Sequence, residues 1–277
     1  LSGVRRLDVS MCELSAEGMR HLARADHLEH LESLELLGQP LGPAGLEALL
    51  GAPHLRGLRA LGLGHARLGD EGARALAKSG RGEALEHLDV SLCQIGPEGA
   101  RALASASQLA GLVRCAMAHN ALGEEGVAAL AGSAAWAGLE VLDLGHTPEL
   151  GEILDSPREA IDRLARGRGG LMTTEGSRYT LGPEGVGALL RSPHLRQLHT
   201  LKIHENALGP EGARALARAP SPAPPLRALD VSINDLGEEG ARALLASPRM
   251  DTLEELDLSF NRVGPGGLEP LGRLTPD

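Results

Sequence analysis

Aromatic residues are almost missing from this chain of 277 residues, since Trp136, Tyr179 and Phe260 are the complete set. A compact core of this size normally contains many aromatic rings, because each such side chain buries about 150–250 Å². The apolar residues here are mainly Leu, Ala and Val. This composition favours thin, regularly stacked layers, and therefore an extended repeat array, over one or two globular cores.

Long hydrophobic runs and a positive charge are also lacking. No stretch approaches the ~18 apolar residues that a membrane-spanning helix needs, so no membrane association is expected. The formal net charge of −10 argues against a nucleic-acid partner, whose phosphates would be repelled. Lysine occurs only at Lys78 and Lys202, and arginine supplies the other bases. Such usage is typical of GC-rich genomes and points to a bacterial source.

Cysteine and catalytic motifs are scarce as well. Cys12, Cys93 and Cys115 cannot all pair with one another, and their spacing matches no zinc-binding pattern. Reduced thiols are therefore expected, which favours a cytoplasmic protein. The sequence contains no P-loop, His-Glu-x-x-His, Gly-x-Ser-x-Gly or Cys-x-x-Cys motif. We expect no catalytic residues, no cofactor and no bound metal.

A fixed period organises the residues that are present. The pattern L-x-x-L-x-L-x-x-N-x-L-G recurs nine times, beginning at Val4, Leu31, Leu58, Leu85, Leu112, Leu139, Leu198, Leu226 and Leu253. The usual interval is 27 residues, but the sixth and seventh copies are 59 residues apart, which is one period plus 32. We call the copies repeats 1 to 9 and number positions from the first residue of each. The register resumes as if the interrupted repeat had begun at position 171.

Each repeat predicts a short strand followed by a helix. Apolar residues alternate in the first half, as in 85–90, which is typical of a strand. The second half carries glycine at position 15 and leucine at position 19 in every repeat, as in 209–217. There, Pro210 and Glu211 mark a helix start. Because glycine costs a helix about 1 kcal/mol, we expect position 15 to be selected for close packing between neighbouring helices.

Stacked turns of this kind place their strands in one parallel sheet, about 4.8 Å apart. The repeats resemble the ribonuclease-inhibitor class of leucine-rich repeats, and residues 211–217, Glu-Gly-Ala-Arg-Ala-Leu-Ala, resemble the bacterial GALA variety. The resemblance implies an α/β solenoid, or horseshoe, with parallel strands on the concave face and helices on the convex face. It implies a single domain over 1–277 and macromolecular binding, without naming the partner. The chain opens within a repeat, so we expect a monomer or part of a larger chain.

The resemblance also assigns a structural role to position 9. In this family its side chain bonds the backbone of neighbouring loops in a ladder, usually as asparagine. The position is occupied by Cys12, Cys93, Asn120, Thr147, Asn206, Asn234 and Asn261. Cys115 falls on a strand position that is expected to be in the core.

Binding is expected on the concave face, towards which positions 2, 3, 5, 7 and 8, or their rim, should project. These 45 positions carry twelve acids and six bases, a balance of −6 that would steer a basic protein partner. Aspartate at position 5 is also a common filler in this family, so solubility is the alternative role. The candidate partner-binding residues are Asp89, Glu140, Asp143, His146, Lys202, Glu205, Asp230, Asp257, Phe260, Arg166 and Arg168.

The interruption at about 149–180 is a second candidate feature. Ser156 and Glu159 predict a helix start with a capping box, and the run 166–170, Arg-Gly-Arg-Gly-Gly, then breaks that helix. Insertions in repeat proteins often map to the binding face. A tolerated loop without a function is the alternative.

A row of histidines lies at position 8, in His65, His119 and His146. Metal binding would require several ligands about 2 Å from one ion. Since His65 is two repeats away from His119, solvated histidines on the rim are the better interpretation.

Three functions remain open at the level of sequence. A non-catalytic protein-binding module, using the acidic concave face and the 149–180 insertion, is the leading one. A regulator of a GTPase is the alternative, since Ran GTPase-activating proteins share this repeat class. It would need a polar residue on a repeat loop, for which Asn120, Asn206 and Asn234 are candidates in type. A ligand-sensing domain of a larger signalling protein is the third.

Overall fold

The computed structural model describes residues 3–14, 16–80, 82–145, 180–218 and 223–273. Within them the strands are β1 Arg6–Asp8, β2 Ser33–Glu35, β3 Ala60–Gly62, β4 His87–Asp89, β5 Arg114–Ala116, β6 Val141–Asp143, β7 Thr200–Lys202, β8 Ala228–Asp230 and β9 Glu255–Asp257. These nine strands form one parallel sheet in chain order. Position 4 stays in register throughout, from Leu7 opposite Leu34 to Leu229 opposite Leu256. The predicted nine-stranded parallel sheet is confirmed.

Each described strand is followed by a helix, and the helices form a second layer. They are α1 Ala16–Ala23, α2 Gly42–Gly51, α3 Gly69–Lys78, α4 Pro97–Ala104, α5 Gly123–Ala131, α6 Gly182–Leu190, α7 Gly209–Ala217, α8 Gly237–Leu245 and α9 Gly264–Gly267. Each helix packs against the next one in chain order. Short 3-10 helices lead back towards the strands at Asp26–Leu28, Pro53–Gly57, Ser107–Leu109, Ala134–Trp136 and Pro248–Thr252, and Glu269–Arg273 follows α9.

The core lies between these two layers and is built from equivalent residues of successive repeats. In the inner repeats position 4 of the strands is buried, as at Leu142 and Leu201, and so is position 19 of the helices, as at Leu103. Trp136 is fully buried in this layer. Cys115 is buried on β5, as its position predicted.

The sheet is continuous where the sequence is interrupted. β6 pairs with β7, with Asp143 opposite Lys202, and α5 packs against α6. The strand and helix on either side therefore follow the repeat register. The insertion predicted at about 149–180 lies outside the described residues except for Thr180. Its helix start at Ser156 and the single-domain organisation of 1–277 remain predictions.

The glycines at position 15 are not all explained by the same contact. A methyl group on Gly126 would lie 3.0 Å from Cβ of Ala100 and 3.2 Å from Cα of Pro97, both in the preceding helix. At Gly212 the nearest atom, 2.5 Å away, belongs to a leucine of its own repeat. At Gly185 the nearest atom is 3.5 Å away, an ordinary contact. Packing between repeats thus explains Gly126, but the predicted reason is wrong for Gly185.

A left-handed backbone conformation shapes most of the loops between strand and helix. Residues at positions 8 and 10 have positive φ, as at Ile233 (54°) and Asp235 (53°), which flank Asn234. Position 10 is an exception at Ala121 of repeat 5 and at Pro40 of repeat 2, where the proline ring holds φ at about −65°. The loop of repeat 2 therefore follows a different path from that of repeat 8.

Asparagine at position 9 turns inward from these loops and bridges two repeats. The Asn234 carboxamide oxygen accepts hydrogen bonds from the backbone N–H of Asn206 (2.8 Å) and of Leu208 (3.4 Å). Its nitrogen donates to the carbonyls of Ile203 (2.8 Å) and Val231 (3.0 Å). Equivalent bonds are made by Asn120, Asn206 and Asn261. The predicted asparagine ladder is confirmed in these repeats.

Repeats 2 to 4 fill the same position differently. Gln39, which the sequence pattern did not single out, accepts from the Leu14 N–H (2.7 Å) and donates to the Val9 carbonyl (2.7 Å). Ala66 has no polar side chain to offer. The Cys93 thiol donates to the Leu63 carbonyl (3.0 Å), and burial raises the pKa of that thiol to about 11. The ladder is thus weaker near the start of the sheet.

Candidate functional site

Positions 2, 3 and 5 form the concave face and positions 7 and 8 form its rim. At position 2, neighbouring repeats carry opposite charges that pair across the sheet: Arg5 with Glu32, Arg59 with Glu86, and Arg227 with Glu254. Such exposed pairs contribute at most about 1 kcal/mol each. Their charges cancel locally, so the acidic excess of the concave face resides mainly at position 5.

The aspartates at position 5 have a structural role of their own. Asp89 accepts a hydrogen bond from the Ser91 N–H (2.8 Å), and Asp230 accepts one from the Ser232 N–H (3.0 Å). Asp8, Asp143 and Asp257 make the same bond two residues ahead. Each carboxylate therefore stabilises the turn after its strand with one oxygen. The family role of a structural filler and a binding role are compatible, because the second oxygen is not used by this bond.

A shallow depression of about 290 Å³ lies in the middle of the concave face. Its floor includes small residues, Ala60, Gly62 and Ala116, at positions where other repeats carry longer side chains. The charged residues that line it are Glu35, Asp89, Arg114, Asp143 and Lys202. Of the predicted site residues, Asp89, Asp143 and Lys202 are thereby brought together around one recess.

Glu35 borders this depression on the side of repeat 2. Its carboxylate lies over Gly62, in the space where a Cβ atom would otherwise stand. Partial burial, together with the nearby carboxylates of Asp89 and Asp8, raises the pKa of Glu35 above its ordinary value. Burial is the larger cause of the raised pKa, and the neighbouring negative charges are the smaller one, which a nearby cation would offset.

Charges are more balanced between β6 and β8. Lys202 lies 3.9 Å from Asp143, and Nδ1 of His204 lies 3.2 Å from Asp230. Glu140, a predicted site residue at position 2, lies 3.4 Å from Nε2 of His199. These predicted acids therefore face basic neighbours within the chain, unlike those of β2 and β4.

Glu205, another predicted site residue, is half-buried on the rim. Its Oε2 atom has no hydrogen-bond partner among the described residues. Desolvation raises the pKa of this carboxyl from its ordinary value to about 7. The group therefore titrates near neutral pH.

Phe260 lies on the same rim and is 58% exposed, next to the exposed strand residue Asp257. Phe260 is the aromatic residue that the sequence predicts on this face. The remaining candidates, His146, Arg166 and Arg168, lie outside the described residues and stay predictions.

Sequence reasoning missed two exposed apolar residues on the rim of the first repeats. Met11 at position 8 is 71% exposed, and Leu37 at position 7 is 45% exposed. Both lean onto glycines of the next repeat, Gly38 and Gly64. The signal was available in principle, because an apolar side chain at a rim position opposite glycine has nothing to bury it.

The convex face uses its charges internally. Arg101 pairs with Glu98 of its own helix and with Glu125 of the next helix. The same arrangement links Arg214 to Glu211 and Glu239. Side chains that already bridge two helices are less available to a partner than the acids of the concave face.

In the described part of the chain, no group of three or more His, Cys, Asp and Glu side chains is arranged to hold a metal ion. His65 and His119 are two repeats apart, and the third residue of that row, His146, is not among the described residues. Within the same ranges, no helix combines the length and the apolar character needed to cross a bilayer.

Sequence comparison identifies the repeats. The family described as leucine-rich repeat matches residues 4–23, 54–77, 84–104, 192–217, 223–245 and 250–272. These segments fall in repeats 1, 3, 4, 7, 8 and 9 and follow the same register. No curated protein sequence is significantly similar to the chain.

Structure comparison gives distant similarities. A chain of the TLR13–ssRNA13 complex is 17% identical over 94% of this chain and 33% of its own length, with a TM-score of 0.48. A chain of the Rad7 and Elc1 complex in yeast is 18% identical, with coverages of 98% and 73% and a TM-score of 0.38. An internalin (inlF) from Listeria monocytogenes is 15% identical, with coverages of 99% and 85% and a TM-score of 0.37. The chain spans about a third of the TLR13 chain. At these scores the similarities carry no weight on function.

Proposed function

Since the chain is a leucine-rich-repeat protein, we propose that it is a non-catalytic module that binds a protein partner through its acidic concave face. The partner carries basic residues where it meets that face. The insertion at about 149–180 closes over one edge of the complex, and the chain acts as a monomer or as part of a larger protein in the cytoplasm.

One observation carries this proposal, namely the depression on the concave face with Asp89, Asp143 and Glu35 around a floor of small residues. The floor leaves room for a side chain of the partner, and the carboxylates attract a cationic one. Acidic faces of this kind raise the rate of encounter with basic proteins, and salt screens the effect. On the convex face, Arg101 and Arg214 are instead engaged in ion pairs between helices.

Regulation of a GTPase receives no support from the same geometry. The three asparagines that it could use are buried, with Asn120 8%, Asn206 6% and Asn234 0% exposed. Their side chains bond loop backbone in the ladder. They are therefore not available to reach a catalytic site in another protein.

Within the leucine-rich repeats, we infer membership of the ribonuclease-inhibitor-like class and its GALA-like variety. The inference is supported by the 27-residue period and by a full helix in most of the described repeats. It is also supported by the sequence Glu-Gly-Ala-Arg-Ala-Leu-Ala, which forms most of α7.

The test is a pull-down from bacterial lysate with three forms of the chain. Charge reversal by Asp89→Lys, Glu140→Lys and Asp143→Lys should reduce the yield of partner, slow its association and weaken the dependence on salt. Deletion of 151–179 should weaken binding without unfolding the sheet, because β6 and β7 already pair directly.

The matched control is Glu47→Lys, Glu71→Lys and Glu184→Lys, which changes net charge equally at exposed helix positions. It should leave partner recovery unchanged. If the concave reversal and the deletion both recover the same partners in full yield, the proposed function is wrong, and the convex helices become the binding face.

A further inference from the structure

The strongest unexplained feature of the surface is the apolar strip formed by Met11 and Leu37. Five large hydrophobic side chains of the described residues are strongly exposed: Met11, Leu37, Phe260, Leu268 and Leu271. Leu268 and Leu271 belong to the last repeat, and Phe260 lies on the rim of that repeat. Met11 and Leu37 are adjacent, because the Met11 N–H donates to the Leu37 carbonyl (2.8 Å).

The strip is held in place by the backbone beneath it. Met11 has a φ of 54°, which directs position 8 away from the core, and its sulfur lies over Gly38. Leu37 lies over Gly64, with Cδ1 2.8 Å from where a Cβ atom of that glycine would stand. Each side chain therefore rests on a glycine on one side and faces solvent on the other. Exposed apolar groups held in this way are typical of contact sites.

Carboxylates border the same strip. Oδ2 of Asp89 lies 3.7 Å from the Cβ position of Gly64, the glycine that Leu37 covers. On strands β1 to β4 the described charges are Arg6, Asp8, Glu35 and Asp89, which leaves two net negative charges. None of these three carboxylates has an ion-pair partner among the described residues. Partial burial, followed by the charges of Asp89 and Asp8, raises the pKa of Glu35.

The two ends of the rim differ in their apolar groups. At the other end Phe260 is exposed singly, after Glu255 and Asp257 of β9. Among the described residues of the rim, two adjacent exposed aliphatic side chains beside carboxylates occur in the first repeats. This combination excludes nucleic acid and anionic lipid surfaces, whose phosphates the carboxylates repel.

We propose that Met11 and Leu37, with Asp8, Glu35 and Asp89 beside them, form a docking surface for a peptide segment of the partner. That segment carries an aliphatic or aromatic side chain directly next to lysine or arginine. The apolar side chain packs on Met11 and Leu37, and the cation lies against Glu35 and Asp89. The inference rests on the proposed protein-binding function, but it places recognition in repeats 1 to 4 rather than beside the insertion.

The experiment is selection from a phage-displayed library of random 12-residue peptides on the full chain. Enriched peptides should combine Leu, Ile, Met or Phe with an adjacent Lys or Arg. Fluorescence polarisation with the synthetic peptides should then show a loss of about tenfold or more in affinity with Met11→Ser/Leu37→Ser, as for the central residues of an interface. Glu35→Gln should weaken binding less and reduce its salt dependence.

Leu268→Ser is the matched control, since it removes a hydrophobic residue of the last repeat that is 46% exposed, close to the 45% of Leu37. It should leave peptide binding unchanged, and circular dichroism should show that all variants are folded. The proposal is overturned if no peptide is enriched, if the enriched peptides lack the paired residues, or if the Met11→Ser/Leu37→Ser variant retains their binding.

The same peptides separate this inference from the proposed function. Loss of binding with Glu140→Lys/Asp143→Lys but not with the rim variant would overturn the docking surface and leave the proposed function standing. Loss with the rim variant, combined with full partner recovery by Glu140→Lys/Asp143→Lys and by the deletion, would overturn binding beside the insertion and leave the docking surface standing.

Discussion

The loops of repeats 7 to 9 are linked by hydrogen bonds from asparagine at position 9, whereas repeats 2 to 4 carry other residue types at that position. Asn206, Asn234 and Asn261 each accept from backbone N–H groups of the preceding loop and donate to carbonyls around it. In the first half, Gln39 accepts one hydrogen bond and donates one, the Cys93 thiol donates one, and Ala66 has no polar side chain. The fold therefore tolerates loss of ladder hydrogen bonds where the apolar packing is intact. We expect the half with fewer of these bonds to have the lower local stability.

The largest expected effect comes from removing a member of the complete ladder. Asn234→Ala leaves the N–H groups of Asn206 and Leu208 and several carbonyls without their buried partner. Since each unsatisfied buried group costs about 1–3 kcal/mol, we expect a total loss of about 2–4 kcal/mol after relaxation. Urea unfolding followed by the fluorescence of Trp136, the single tryptophan of the chain, measures it.

Gln39→Ala is the counterpart in the first half and removes one donor and one acceptor. Its cost should be clearly smaller than that of Asn234→Ala. Equal losses for the two variants would show that the halves do not differ in the way that their hydrogen bonds indicate.

A second contrast lies between two glycines of adjacent helices. Gly126→Leu forces a side chain against Ala100 and Pro97 and should cost about 1–3 kcal/mol, as overpacking usually does. Gly185→Ala meets only ordinary contacts and should stabilise α6, by up to about 1 kcal/mol, through its helix propensity. Thermal unfolding midpoints that move in the same direction for both variants would contradict the packing explanation.

A smaller effect is expected from repairing the ladder. Cys93→Asn faces the loop of repeat 3, where His65 (φ 60°) and Arg67 (φ 51°) have the same conformation as in the asparagine repeats. It should add about 0.5–1.5 kcal/mol, the usual net value of a hydrogen bond. Ala66→Asn faces the loop of repeat 2, where Pro40 prevents that conformation. It should bring no gain, so stabilisation by both variants would rule out this role of Pro40.

The smallest effect concerns pH. The pKa of Glu205 is raised to about 7 in the folded chain, so the protonated form is favoured by folding. Its contribution to stability is complete below the pKa of a free glutamate and is lost as pH rises through about 7. Glu205→Gln should therefore gain stability relative to wild type at pH 8 compared with pH 5. A constant difference between the two midpoints across this range would argue against a titrating Glu205.

The period of the sequence predicted the fold because every repeat buries the same positions. Leu34 and Leu201 fall on the same strand position, and the pairing register follows from them. The asparagine ladder followed from the resemblance, whereas Gln39 was missed because it reaches the same loop from an unusual residue type. Met11 and Leu37 were missed because their exposure depends on the glycines beneath them. The depression was missed for a similar reason, since Gly62 matters only through the side chains that surround it.

The alternation of charge at position 2 has a consequence for how such an array grows. Arg5, Glu32, Arg59 and Glu86 form two pairs, so the chemical period in this part of the sheet is two repeats, or 54 residues, and not one. Loss of 31–57 alone would place Arg5 beside Arg59, whereas loss of 31–84 would restore an arginine–glutamate neighbour. Unequal crossing-over that adds or removes two repeats preserves these contacts, whereas the gain or loss of a single repeat places like charges side by side. In this part of the array the charge pairing is therefore retained only when repeats are gained or lost two at a time.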